Sequence, residues 1–207
     1  SVRTMHKLSE VLDLPISYFF FMDEMISVYP LEGRHVPELE MFQKQIQHYT
    51  GGELDIKFTS NYPLVTDKSI FKKIQDGELF MAIVNTNSLW FFMPELLVFS
   101  FPFLFRDWSH VRKALDGEFG SSLEKRFLER GIRLLGWWRG GIRNLYHNIH
   151  PVHHVDDLRG MRIRVPEDPI LVSLYRTYNA YPVVIPWEET KKALVSGIID
   201  GVDSNLN

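Results

Sequence analysis

The chain has 207 residues, with 23 Lys and Arg against 26 Asp and Glu, 45% hydrophobic residues and 14% aromatic residues. A net charge of −3 with no long run of one sign argues against a dedicated nucleic-acid or anionic-membrane surface, and the apolar content suits a folded globular chain. The absence of cysteine removes disulfides, thiolate nucleophiles, zinc-thiolate sites and iron-sulfur clusters, and it leaves the compartment open.

Met5, Leu8, Val11 and Leu12 recur at helical spacing over Thr4 to Leu14, and Pro15 closes that predicted helix. Tyr18 to Met22 is too short an apolar run for the core of a secretion signal, so any such signal is expected to have been removed or replaced. From Ile26 strands alternate with helices. Ile26 to Tyr29 reads as a strand. Val36, Leu39, Phe42, Ile46 and Tyr49 form a helical stripe that ends at Gly51-Gly52, a natural C-cap. Leu54 to Phe58 alternates as a half-buried strand, Ile70 to Ile74 is a helix stopped by Gly77, and Leu79 to Val84 is the next strand.

Leu89 to Phe105 is the most membrane-like stretch, but Pro94, Glu95, Ser100 and Pro102 interrupt its 17 residues. About 20 apolar residues are needed to span a bilayer as a helix, so this segment is read as buried core. Helices follow at Ser109 to Leu115 and Ser121 to Gly131, then strand candidates at Ile132 to Trp138 and Ile142 to His147. Beyond Pro151 the predicted order is strand Met161 to Val165, helix Ile170 to Tyr178, strand Pro182 to Ile185, helix Glu188 to Ser196 and strand Ile198 to Val202. The rhythm implies an α/β fold with a largely parallel sheet on each side of a boundary near Gly140-Gly141.

Four segments are more specific than generic α/β sequence: Thr50-Gly51-Gly52-Glu53-Leu54, Phe101-Pro102-Phe103-Leu104-Phe105-Arg106-Asp107, the run from Asp156 through Arg164-Val165-Pro166, and Gly197-Ile198-Ile199-Asp200-Gly201-Val202-Asp203. In this order they resemble the solute-binding proteins of tripartite ATP-independent periplasmic (TRAP) transporters, of the dicarboxylate-binding DctP type. The resemblance runs from Ile26 to Asn207. It implies a two-lobe clamshell in the periplasm that captures a small organic acid for a membrane permease, with no catalysis and no cofactor. The implied organisation is a non-family helical segment at residues 1–25, a first α/β lobe at 26–140 and a partial second lobe at 141–207. Family members continue well past the Asp-Gly strand, so the second lobe is expected to be incomplete here by on the order of 100 residues.

The family's carboxylate-binding arginine falls on Arg164. A guanidinium suits that role because its planar fork donates two parallel hydrogen bonds to one carboxylate and stays charged when desolvated. Pairing with an internal acid is the alternative. Arg143 matches a second polar cleft position, against a structural ion pair, and Trp187 matches an aromatic over the ligand, against a core residue that opens a helix. On the first lobe Asp67 and Asn85 align with positions that hold ligand polar groups in some members, although both types also serve as caps. A cleft asparagine often lies four residues beyond the aspartate of the Asp-Gly pair. Here that position is Ser204, with Asn205 beside it, so serine takes over, or Asn205 substitutes, or the ligand differs.

His147, His150, His153 and His154 could suggest a metal, but Pro151 breaks the segment, and adventitious surface histidines are the preferred reading over a metal site. Glu188-Glu189 and Asp156-Asp157 sit where helix N-termini favour acids. No serine elbow and no phosphate loop of the Gly-x-x-x-x-Gly-Lys type occurs, so no enzyme is expected. Residues 4–20 weakly resemble the tail of a repressor-type helix-turn-helix domain, without the helix that would read DNA. The alternative function is therefore the ligand-sensing part of a regulator, although no nucleic-acid partner is expected from this chain.

Overall fold

The computed structural model describes residues 25–29, 37–58, 67–137, 139 and 141–205, so the helix expected at Thr4 to Leu14 lies outside the described residues. Contacts divide the chain into two compact units, the first comprising residues up to Val84 together with Glu118–Gly136, and the second comprising Asn85–Gly117 together with Trp137–Asn207.

The first unit holds a three-stranded parallel sheet, β1 (Met25–Tyr29), β2 (Asp55–Phe58) and β3 (Met81–Ala82), in the order β2-β1-β3. Helices α1 (Pro37–Thr50) and α2 (Asp67–Gln75) make the crossovers that parallel pairing requires. Helix α1 ends as the glycine pair predicts. Gly51 takes φ of 65°, open to glycine without Cβ strain, and the Gly52 amide returns to the Gln47 carbonyl at 2.8 Å. The Gln43 side-chain amide then donates to the Ile56 carbonyl at 2.8 Å and fastens α1 to β2. The buried residues of this unit include Ile46, Ile56, Ile70, Phe71, Leu123 and Phe127, with the last two on α4 (Glu118–Glu129). Of the expected strand at Ile132 to Trp138, the described residues 132–137 form no strand. Residues 132–137 are irregular beyond the left-handed Gly131, and no ladder partner meets them among the described residues.

The second unit contains a four-stranded sheet in the order β4-β7-β5-β6, built from β4 (Arg143–His147), β5 (Arg162–Val165), β6 (Tyr181–Val184) and β7 (Gly201–Asn205). Strands β5, β6 and β7 are parallel, and β4 runs antiparallel to β7 with Arg143 opposite Asn205. Side chains on successive strand residues point to opposite faces. Ile163 and Val165 bury against Leu171 and Tyr175 of α5 (Pro169–Thr177), whereas Val202 and Val183 pack on the other face with Ala193 and Trp187 of α6 (Trp187–Val195). Each such aliphatic side chain, when fully buried, stabilises the unit by about 1.5–3 kcal/mol. Gly201 is fixed by close approach. A Cβ there would lie 2.8 Å from the Tyr146 carbonyl oxygen and 2.9 Å from the His147 Cβ.

The alternation predicts one division near residue 140, but Asn85–Gly117 groups with the second sheet. Two remote hydrogen bonds account for this. The Trp90 indole donates to the Glu167 carbonyl at 2.7 Å, and the Ser100 hydroxyl donates to Asp168 Oδ2 at 2.5 Å. Asp168 is itself the buried N-cap of α5, accepting from the Ile170 and Leu171 amides through Oδ1. The same segment carries α3 (Trp108–Leu115), capped by Asp107. Its core reading holds for Leu89, Met93 and Leu96, which are buried. It does not hold for the tip. Phe101 and Leu104 are exposed, and Phe103 is 92% exposed with φ of 60°. No helix among the described residues is long and apolar enough to cross a membrane.

Candidate functional site

In open parallel α/β sheets, ligands bind outside the carboxyl ends of the strands. At that edge of the second sheet, β5 ends on Arg164-Val165, β6 runs out to Ile185, α6 begins at Trp187, and β7 ends on Ser204-Asn205. Because β4 is antiparallel to β7, its first residue, Arg143, lies at the same edge. Five positions expected from sequence thus meet on one edge of one sheet.

Arg164 is 7% exposed. Its Nε donates to the Ile185 carbonyl at 2.9 Å, and its guanidinium carbon lies 5.3 Å from the centroid of the Trp187 ring. The face of an indole is a favoured seat for a desolvated cation. Trp187 is the first residue of α6 and also packs on the Ala193, Ile199 and Val202 cluster, so it belongs to the core and to the site together. Ser204 is half-buried on β7, two residues beyond Val202, which pairs with Arg164. Strand alternation therefore puts Ser204 on the face that carries Arg164.

Arg143 belongs to the opposite face and forms an internal ion pair. Its Nε donates to Asp203 Oδ1 at 2.6 Å and its Nη2 to the Asp203 carbonyl at 2.8 Å, while 34% of its side chain stays exposed. Asp203 is 5% exposed, and its Oδ2 accepts from the Tyr175 hydroxyl at 3.0 Å. Burial, followed by the neighbouring Asp203 carboxylate, pushes the Tyr175 hydroxyl well above the ordinary tyrosine pKa, so it remains a protonated donor. Asn205 lies opposite Arg143 in the β4-β7 register, and its side chain is outside the described residues.

The remaining two positions sit elsewhere. Asn85 is half-buried at the start of the 3-10 turn Thr86–Ser88, where its side chain makes no capping hydrogen bond, and it belongs to the second unit and not to the first as expected. Asp67 is the first residue of α2 in the first unit, with its side chain outside the described residues. Asp203 and Tyr175 were not predicted as site residues. The signal for Asp203 was an acid inside a strand, directly after Val202. Tyr175 read simply as one more position on an apolar helix stripe.

Arg162, two residues before Arg164, marks the other end of β5. It grips Asp200 with both carboxylate oxygens, Nη2 to Oδ1 at 2.5 Å and Nε to Oδ2 at 3.0 Å, and its amide donates to Oδ2 at 2.7 Å. The aspartate of the Asp-Gly pair is thus a structural clamp between β5 and the turn into β7. Of the histidines, His150, His153 and His154 are exposed and His147 is half-buried on β4. The backbone amides of His153 and His154 donate to Asp157 Oδ2. No three His, Asp or Glu side chains among the described residues converge as a metal site would.

Residues 32–207 match the family described as bacterial extracellular solute-binding protein, family 7, named DctP. The chain is 28% identical over 176 residues to the 2,3-diketo-L-gulonate-binding periplasmic protein YiaO of Escherichia coli, covering 85% of this chain and 53% of that protein. It superimposes with a TM-score of 0.79 and 28% identity on a TRAP periplasmic solute-binding protein from Sulfurospirillum deleyianum solved with bound succinate, covering 88% of this chain and 60% of that one. The corresponding protein from Citrobacter koseri, with bound D-glucuronate, gives a TM-score of 0.76 at 28% identity, with 89% and 62% covered. The chain spans about half the length of the curated relatives it matches. On the extent of the profile match, the chain belongs to family 7 of the bacterial extracellular solute-binding proteins, the DctP family.

Proposed function

We propose that this chain is the acid-binding portion of a periplasmic solute-binding protein that captures a small organic carboxylate and delivers it to TRAP membrane permease subunits. The observation that carries this reading is the buried Arg164, its guanidinium carbon over the Trp187 ring at the carboxyl edge of a parallel sheet. A carboxylate arriving there exchanges its hydration shell for a charged guanidinium, a planar group whose shape matches both carboxylate oxygens. Arg143 supplies further donors for a second polar group of the ligand, and Ser204, with Asn205 beside it, offers short-range hydrogen bonding from the end of β7. Trp187 covers the apolar part of the ligand. Asn85 and Asp67 are further candidates for ligand polar groups. The relatives bind succinate, D-glucuronate and diketo-gulonate, so an acid of about that size is the substrate class. The proposed role is binding and delivery, as in the solute-binding family to which the chain belongs.

The test is a thermal melt with succinate, D-glucuronate and, as a neutral counterpart, D-glucose. A ligand that binds only the folded state at 100 times its Kd adds about 2.7 kcal/mol of stability. A raised midpoint with at least one acid and none with glucose is expected. Equal midpoints with every solute would contradict the reading.

A further inference from the structure

We infer that Tyr175 is a positioning residue for the acid-binding edge, because its hydroxyl, acting through Asp203, sets the pose of the Arg143 guanidinium. This rests on the proposed role of Arg143 as a ligand contact.

Arg143 on β4 and Asp203 on β7 lie two residues out of direct register, since Leu145 faces Asp203 and Asn205 faces Arg143. They are diagonal neighbours on one face, within reach of long side chains. The carboxylate of Asp203 is divided between two partners: Oδ1 receives Arg143 Nε, and Oδ2 receives the Tyr175 hydroxyl. With the main-chain carbonyl of Asp203 accepting Nη2 as well, one residue holds the guanidinium in a defined plane. Among the described residues it makes two N–H hydrogen bonds, and a guanidinium carries five N–H donors.

The terminal torsion of an aspartate is broad and roughly two-fold, so a carboxylate held by a single partner rotates easily. The Tyr175 hydroxyl removes that freedom. It comes from a different layer of the unit, the α5 helix, whose core ring packs with Ile163, Val165 and Leu171. A phenylalanine ring would fill the same space, so the packing of the unit does not require the hydroxyl. What requires it is the orientation of Asp203 and, through it, of Arg143. Burial keeps the hydroxyl protonated, and arginine stays charged, so the arrangement persists across the neutral pH range.

Calorimetric titration with D-glucuronate of the wild type, Tyr175→Phe, Arg143→Ala and the double variant tests this inference. Tyr175→Phe should weaken binding about 3- to 10-fold, the scale of one net hydrogen bond, while the ligand-free melt stays cooperative at a lower midpoint, because the buried Asp203 Oδ2 loses its donor. In the Arg143→Ala background the same change should have no further effect, because a residue acting through Arg143 has nothing left to act on. An equal loss in both backgrounds overturns the inference, and so does wild-type affinity in Tyr175→Phe. A second readout needs no ligand. Exchange of the Arg143 Nε–H with solvent, followed by NMR, should be several-fold faster in Tyr175→Phe, and an unchanged rate overturns the inference whether or not an acid binds. Wild-type affinity in Arg143→Ala would instead remove the proposed ligand role of Arg143, leaving the exchange rate to decide whether Tyr175 holds it.

Discussion

The two ends of strand β5 carry the same residue type on the same face and put it to different uses. At the amino end, Arg162 is spent on Asp200, with both carboxylate oxygens engaged and much of the guanidinium in water. At the carboxyl end, Arg164 is buried, and the groups that orient it include a main-chain carbonyl and an indole ring. Residue type and strand alone therefore do not single out the arginine proposed to meet the ligand. What distinguishes the two is the edge of the sheet: helix N-termini and strand ends converge at one and the turn into β7 is fastened at the other. Arg143 stands between these cases. Its carboxylate partner is buried, yet a third of its own side chain reaches solvent.

The largest effect that separates the two ends is expected from Arg164→Ala, which should reduce affinity for an acid about 100-fold, or about 3 kcal/mol for paired hydrogen bonds to a charged group. A cooperative ligand-free melt should persist, and calorimetry with D-glucuronate reads the loss. Gly201→Ala lies between the ends and should harm both. Its Cβ would collide with the Tyr146 carbonyl and the His147 Cβ, lowering stability by about 1–3 kcal/mol as overpacking does, which chemical denaturation measures. Asp200→Asn should act on the amino end alone, lowering the melting temperature by less than Gly201→Ala and leaving affinity within about two-fold, well below one net hydrogen bond.

The smallest effect is in the pH profile of that clamp. Hydrogen bonding to Arg162 holds the Asp200 carboxyl below the usual carboxylate range. A depressed folded pKa contributes stability above the unfolded value of about 3.9 and loses it as pH falls through the folded value. The melting temperature of the wild type should therefore fall more steeply below about pH 4 than that of Asp200→Asn. Parallel profiles would show that the clamp adds nothing in solution.

Much of this was legible from sequence because it is local. The alternating run around Ile163, the stripe of α1 and the Gly51-Gly52 terminus each carry their own periodicity or cap chemistry. The placement of Asn85–Gly117 was not legible, because it depends on Trp90 reaching the Glu167 carbonyl and Ser100 reaching Asp168 across about 70 residues of chain. Of the candidate site, the motifs singled out Arg164 and Trp187, which touch, and Ser204, which shares the strand face of Arg164, whereas Arg143 pairs with Asp203 on the other face. That partner was missed because a short acidic side chain on a strand looks like a surface residue until the helix crossing beneath it is known. Residues 132–137 show the reverse error: strand-like composition forms no strand where no ladder among the described residues receives it.

The most direct test of the central claim is calorimetric titration of Arg164→Lys with D-glucuronate beside the wild type. Lysine keeps the charge and removes the planar fork. If Arg164 receives the carboxylate through two parallel donors, affinity should fall about 10-fold or more, by the loss of one charge-assisted hydrogen bond, with the ligand-free melt still cooperative. Wild-type affinity in that variant would contradict the claim and move the carboxylate away from Arg164.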